Sequence, residues 1–393
     1  MSDSYATASG RRPGRTTGPS GSATSTSPAT LVVHLSRDGA GEVLARRARA
    51  GELVRLGRGI YADRPDPKLP KWQRAELLHQ ARVRSIGRLV PPDAVICGPS
   101  AALLLGGKTL AAPETLTVAS ERHGSTTKRS IAYRRFVRTL RDDEIVVVDG
   151  VRVTSPLRTL VDCARIGTPE QALVIADSLL RILTSPTRDD REGAVDRNRE
   201  VRRTAMELID REKGFRGNQR ARMVIGWADG LAESVLESRV RRAVLAMGLP
   251  RPLLQLVVPV RNRVYYPDLT CVFRRPGGEE VVHVEADGKA KYVAGTNLDR
   301  QHERDSDLRS LGREVVHVSS RQVDEDGLAD LRALLFDALS PRARASLNPV
   351  RDLLTRTERT TADAFGWPFG EVDGAQRISP ELLAELPQVA GSG

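Results

Sequence analysis

Residues 281–292 read VVHVEADGKAKY. An apolar run ends in two acids, a glycine and a lysine, and two readings compete. Asp-Gly is a hairpin-turn signal, which would end the strand at Ala286. If the strand runs on instead, alternation of side chains sets His283, Glu285, Asp287 and Lys289 on one face. Val282, Val284 and Ala286 then take the other face, toward a core. The preceding run, VYYPDLTCVF, reads as a second strand joined to the first by RRPGGE. A loop centred on Gly277-Gly278 brings Asp268 opposite Asp287. Cross-strand neighbours lie about 4.5–5.5 Å apart at Cβ, and like charges so placed are unfavourable unless a cation lies between them. A slip of one residue along the strand would send the acids to opposite faces. Two or three carboxylates at one end of a hairpin are hard oxygen ligands suited to Mg²⁺ or Mn²⁺, so Asp268, Glu285 and Asp287 are the expected metal set. Lys289 would orient an attacking water or stabilise charge developing on phosphate.

Outward from the hairpin, LAESVLESRVRRAVLAMGLP predicts a helix. Ala232, Leu236, Val240, Ala243, Val244 and Met247 form one apolar stripe, and Gly248 and Pro250 end it. Glu233 and Glu237 share a face, and Arg241, four residues beyond Glu237, offers that glutamate a simple surface ion pair. Downstream, DRQHERDSDLRSLGREVVHVS predicts a further helix and strand. The unit thus runs helix–strand–strand–helix–strand.

Asp268 followed by Asp287-Gly288-Lys289 resembles the PD-(D/E)XK nuclease superfamily, and Pro267-Asp268 matches its literal first pair. Glu237 resembles the glutamate in the opening helix of that fold. The Glu-x-Asp-Gly strand end is similar to the very-short-patch-repair (Vsr) branch. In that branch the next helix carries Arg, Asp and Leu and ends at a glycine, here Gly312, before a last strand, here Glu314 to Val318. The resemblance covers roughly residues 231–339. It implies Mg²⁺-dependent hydrolysis of DNA phosphodiesters, with Glu237, Asp268, Glu285, Asp287 and Lys289 as catalytic residues. The second main acid is either Glu285 or Asp287. Lys291 and Tyr292 are candidate backbone contacts.

The chain has 393 residues, a formal net charge of +11 and a pI near 10. Such an excess of positive charge favours an anionic partner, most commonly nucleic acid. Cys97, Cys163 and Cys271 form no C-x-x-C pair, which argues against a zinc site or a disulfide framework and fits a reducing cytoplasm. No apolar run reaches the length of a membrane span.

Near the N-terminus, GEVLARRARAG predicts a short helix with Val43, Leu44 and Ala48 on its apolar side. LVRLGRGIYA follows as a hairpin around Gly57-Arg58-Gly59. A basic helix leading into a basic hairpin is the end of a winged helix-turn-helix. Arg46, Arg47, Arg49, Arg55 and Arg58 are its candidate DNA contacts. AGELVRLGRGIYA together with SPLRTLVDCAR resembles the abortive-infection AbiEi antitoxin family. That resemblance implies transcriptional repression and a cognate toxin as partner. The alternative to an endonuclease is accordingly a non-enzymatic regulator or antitoxin.

The expected organisation is multidomain, α+β and α/β. Residues 1–30 are a disordered tail, 31–66 the winged-helix unit and 67–184 an α+β antitoxin-like domain. Residues 185–230 are a partly helical linker, 231–339 the restriction-endonuclease-like domain and 340–393 a peripheral tail.

Overall fold

The computed structural model describes residues 30–36, 40–86, 94–121, 133–275, 278–287, 296–324 and 328–354. The expected N-terminal tail before Thr30, Gly277 of the expected loop centre, Lys289, Lys291, Tyr292 and the chain beyond residue 354 lie outside the described residues. The fold is mixed α and β, with several small sheets.

The first segment holds β1 (Val33–Leu35), α1 (Gly41–Arg49), β2 (Leu53–Gly57) and β3 (Ile60–Asp63), with the three strands in the order β1-β3-β2. Leu44 of α1 is buried with Leu53 and Tyr61, whereas Val43, expected on the same apolar side, faces solvent. The β2–β3 turn needs its glycine. Gly59 has φ +71°, and a Cβ there would meet Ser36 Oγ at 2.4 Å. Among the described residues the expected basic helix and the hairpin after it are both formed, and most of the segment between β1 and α1 lies outside them.

The middle region follows with α2 (Lys71–Ile86), β4 (Val95–Ile96), α3 (Gly98–Leu104), β5 (Leu116–Ser120), β6 (Tyr133–Val137), β7 (Ile145–Val148) and β8 (Val151–Thr154). Its mixed sheet has the order β6-β5-β4-β8-β7. Asp149 and Gly150 both take positive φ between β7 and β8, the geometry a two-residue hairpin turn demands. Next come α4 (Pro156–Ala164), α5 (Pro169–Thr184), α6 (Arg191–Arg211) and α7 (Asn218–Trp227). Helices α4 and α5 begin at Ser155-Pro156 and Thr168-Pro169, where the hydroxyls accept from backbone N–H groups three residues on. Residues 185–230, expected as a linker, are a correction. Ala205, Leu208 and Ile209 of α6, with Ala221, Val224 and Ile225 of α7, are buried in the same core as α4 and α5.

The last region comprises α8 (Val235–Ala246), β9 (Leu253–Leu254), β10 (Val258–Val260), β11 (Arg263–Tyr265), β12 (Leu269–Arg275), β13 (Gly278–Asp287), α9 (Thr296–Arg309), β14 (Glu314–Ser319), α10 (Leu328–Asp337) and α11 (Pro341–Ala345). The sheet order is β14-β13-β12-β9. Strand β13 is antiparallel to β12 and parallel to β14, so α9 is the crossover that a parallel pair requires. Val282, Val284, Ala286, Val316 and Val318 meet the expected stripe of α8 and Leu331 and Leu335 of α10 in one core. The segment after 339 is less peripheral than expected. Ala343 joins that core, and Leu353 and Leu354 are buried against Leu245 and Ala246.

All three cysteines are free and buried, and burial pushes the Cys271 thiol up to about 12. No helix among the described residues is long and apolar enough to cross a membrane.

Candidate functional site

The register of the β12–β13 hairpin decides which acids meet. Arg275 pairs with Gly278, and the ladder continues to Leu269 opposite Val284. The turn thus lies one residue earlier than expected. Extending the ladder by one residue sets Asp268 level with Glu285, not with Asp287. Moving a turn by one residue moves the pairing by two, so the acids keep a common face. Asp268 precedes β12 and is tied across to β13, where its Oδ2 accepts from the Ala286 N–H at 2.9 Å.

Glu237 arrives from the first turn of α8. Ser234 caps that helix by accepting from the Glu237 N–H at 3.1 Å, and Glu237 Oε2 accepts from the Glu233 N–H at 2.8 Å. The expected Glu237–Arg241 surface pair is not formed, because Arg241 turns to Asp177 on α5. Burial, reinforced by nearby Asp268, pushes Glu237 up to about 7. This carboxyl titrates near 4.5 when free, so its burial begins to cost stability above that pH and costs most above 7. Glu237→Gln keeps the acceptor for the Glu233 N–H and removes the charge. In chelator at pH 8.5 the substitution is expected to raise unfolding stability by about 1–2 kcal/mol, with no gain at pH 4. Urea melts at the two pH values check this, and an equal gain at both would remove charge as the cause.

The rest of the face is built by β13, β14 and α9. In the parallel ladder Glu285 pairs with His317, and Asp287 with Ser319. Arg304 on α9 donates to Glu285 Oε1 at 2.5 Å and to the Tyr266 carbonyl at 3.2 Å. His317 lies 2.8 Å from both Asp287 Oδ2 and Asp305 Oδ2. The hydrogen bond to Asp287 and the partnership with Asp305 push the imidazole up to about 9, so both ring nitrogens donate at neutral pH. Further in, His283 shares a hydrogen bond of 2.9 Å with Thr270 Oγ1. Burial and the nearby Arg313 and Arg304 push it down to about 4, so it is neutral. Arg304, Asp305 and His317 were not among the expected site residues. His317 carried a signal, since it alternates with the core residues Val316 and Val318 and must face the acids.

The expected metal set does not stand as a cage. Among the described residues no three His, Cys, Asp or Glu side chains form a group able to hold a metal ion. Glu285 is matched by Arg304, and Asp287 by His317. Glu237 and Asp268 are a further pair of neighbouring acids. These are two hard-oxygen carboxyls close enough for one to raise the other's pKa, a cost that a shared cation would remove. In addition, Asp305 Oδ1 is buried without a hydrogen-bond partner.

The N-terminal arginines form a separate group. Arg46, Arg49, Arg55 and Arg58 are exposed on α1 and the β2–β3 hairpin. Arg47 is only partly exposed and is bound to Glu52 at 2.8 Å.

No protein-family profile matches the chain, and no solved structure matches it. Two uncharacterised proteins of Mycobacterium tuberculosis are similar to it, MT2308 of strain CDC 1551 / Oshkosh and Rv2248 of strain ATCC 25618 / H37Rv. Each is 29% identical over 209 residues, which is 53% of this chain and 66% of the relative. The match therefore spans just under two thirds of the relatives' length.

Proposed function

We propose that the chain is a DNA-binding protein whose last sheet carries a divalent-cation-dependent site for phosphodiester hydrolysis. One observation carries this reading. Glu237 from α8 lies close enough to Asp268, at the entry to β12, for its pKa to be raised by that charge, and Asp268 is tied to β13 at Ala286, the residue after Glu285, although the three acids are far apart in sequence. The order α8, β12, β13, α9, β14 supports it, as does the resemblance of residues 231–339 to PD-(D/E)XK nucleases of the Vsr branch.

In this reading Glu237 and Asp268 would hold Mg²⁺ or Mn²⁺, and Glu285 or Asp287 would join them only by giving up its Arg304 or His317 partner. A bound cation supplies Lewis-acid charge and a more acidic water. Arg304 and His317 place fixed positive charge along the same face, where charge develops on a phosphate oxygen. Arg46, Arg49, Arg55 and Arg58 contact backbone phosphates elsewhere on the duplex, so affinity falls with rising salt. Three free thiols, all buried, go with a cytoplasmic location.

The test is cleavage. Wild type and Asp268→Asn are incubated with Mg²⁺ or Mn²⁺ and with supercoiled, linear and single-stranded DNA. Cleavage by wild type that is lost in the variant is expected. Equal cleavage by both would overturn the assignment.

A second reading has its own support. Glu285 with Arg304, and Asp287 with His317 and Asp305, are charge-matched without any metal. A non-enzymatic regulator or AbiEi-type antitoxin with a partner toxin needs no more than that. Calorimetry showing DNA binding but no Mg²⁺ or Mn²⁺ binding would favour it.

A further inference from the structure

Beside Glu237 and Asp268 the surface folds into a groove between the α5–α6 junction and the approach to β12. It is shallow, about 330 Å³ when the open solvent at its mouth is counted, and Arg181, Arg188, Arg191, Glu233, Gln255 and Tyr266 line it. Its walls connect directly to the acids. Glu233 donates its N–H to Glu237, the Gln255 N–H reaches the Asp268 carbonyl at 3.4 Å, and the Tyr266 carbonyl accepts from Arg304, which holds Glu285.

The groove is basic where the neighbouring site is acidic. Three guanidiniums face one carboxylate, and that carboxylate, Glu233, is bound to Arg181 at 3.1 Å. The flanking Asp189 and Asp190 do not line it, and Asp190 is bound to Arg197 at 2.7 Å. Arg191 spends its Nε on the Leu254 carbonyl at 3.0 Å, which positions the rest of its guanidinium. Arg188 is exposed and lies over the Tyr266 ring, 5.3 Å from the centroid. Stacking uses the face of a guanidinium and leaves its N–H edge for an oxygen anion.

We propose that this groove seats a backbone phosphate of a nucleic-acid strand, next to the phosphate presented to Glu237 and Asp268. Arg188 and Arg191 are its ligands, and Tyr266 is the platform that orients Arg188. The proposal rests on the phosphodiester reading of the acidic site and adds a second anchoring point to it. The middle helices then take part in substrate binding, a role that no feature of residues 67–230 announces.

The experiment measures binding rather than cleavage. Fluorescence anisotropy of a labelled short duplex and of its single strand is recorded in chelator, over a range of salt. Arg188→Ala is expected to weaken binding about five- to tenfold and to flatten the salt slope by about 0.7–0.9, the loss of one phosphate contact. Tyr266→Leu weakens binding in the same direction. Arg203→Ala removes the same charge from an exposed position on α6 and leaves affinity within about twofold, because a general loss of charge acts only through screened distance. Inorganic phosphate titrated at constant ionic strength does not displace the DNA at stoichiometric levels. The proposal is overturned if Arg188→Ala binds like wild type, if it loses no more than Arg203→Ala, if free phosphate displaces the DNA, or if wild type binds neither probe. Circular dichroism of each variant separates misfolding from lost contact, and Arg188→Lys, which keeps the charge, recovers part of the affinity. Should Asp268→Asn cleave like wild type while Arg188→Ala loses binding, the hydrolysis reading falls and the groove stands.

Discussion

Asp177→Ala is expected to lower the stability of the folded chain by about 3–5 kcal/mol, the usual cost of stripping one partner from a buried ion pair. Asp177 and Arg241 are each 1% exposed, and one guanidinium nitrogen of Arg241 reaches both carboxylate oxygens, at 2.5 and 2.6 Å. Asp177 also accepts from the Asp229 N–H at 2.8 Å. Without Asp177 the guanidinium stays buried in a neighbourhood that is already too positive. Nearby Arg251 is pushed down to about 9 by burial and by Arg202 and Arg241. The double variant Asp177→Leu with Arg241→Met removes both charges and is expected to recover most of the loss. Urea melts followed by tryptophan fluorescence and by circular dichroism measure both. A double variant as unstable as the single one would show that shape, not charge, sets the cost.

Gly248→Ala is the second large effect, expected to cost about 2–4 kcal/mol. Gly248 has φ +88°, which a β-carbon disfavours. More important, that carbon would meet the backbone of Asn348 and Pro349 at 2.4 Å, where no side-chain rotation helps. The Asn348 N–H donates to the Gly248 carbonyl at 2.9 Å and the Val350 N–H to the Leu245 carbonyl at 3.3 Å, so the strap at 348–354 must lift. Leu353 and Leu354 would leave their burial against Leu245 and Ala246. Gly312→Ala isolates the clash. Gly312 has φ +71° but open space around it, so only the backbone strain of about 1 kcal/mol applies. Thermal melts rank the two, and limited proteolysis near 348–354 should rise for Gly248→Ala alone. Equal losses at both positions would refute the strap.

Much of the last unit was legible because its pattern is strong. The stripe of α8, the alternation of β13 and the strand at Glu314–Ser319 all lie where the residues place them. The hairpin register was misread by one residue at the turn, because Pro276, Gly277 and Gly278 offer more than one centre. The acids stayed on one face only because that error shifts the ladder by two. Helices α6 and α7 were hidden by composition. Glu200, Arg203 and Glu207 pair on the exposed face of α6 and mask the spaced Ala194, Ala205, Leu208 and Ile209 that are buried. Arginine was the other blind spot. Arg158, Arg241 and Arg242 are essentially buried, and nothing in a single sequence distinguishes them from surface arginines. Arg158 has one acidic partner on its own helix, Asp162, but Glu212 for Arg158 and Asp177 for Arg241 come from other elements.

Helix α8 opens the unit that carries the acids, yet it is held by the middle helices. Arg241 is paired with Asp177, Arg239 with Glu170 at 2.7 Å, and Lys108 Nζ reaches the Glu233 carbonyl at 2.7 Å. The consequence is one of inheritance. A recombination event that moved residues 231–339 into another gene would deliver a helix with an orphaned guanidinium at its centre. A successful transfer must bring α5 along or change Arg241 at the same time. The acid-bearing sheet and the helices beside it are therefore expected to pass between genomes as one block, with crossovers tolerated upstream of α4 and selected against between α5 and α8.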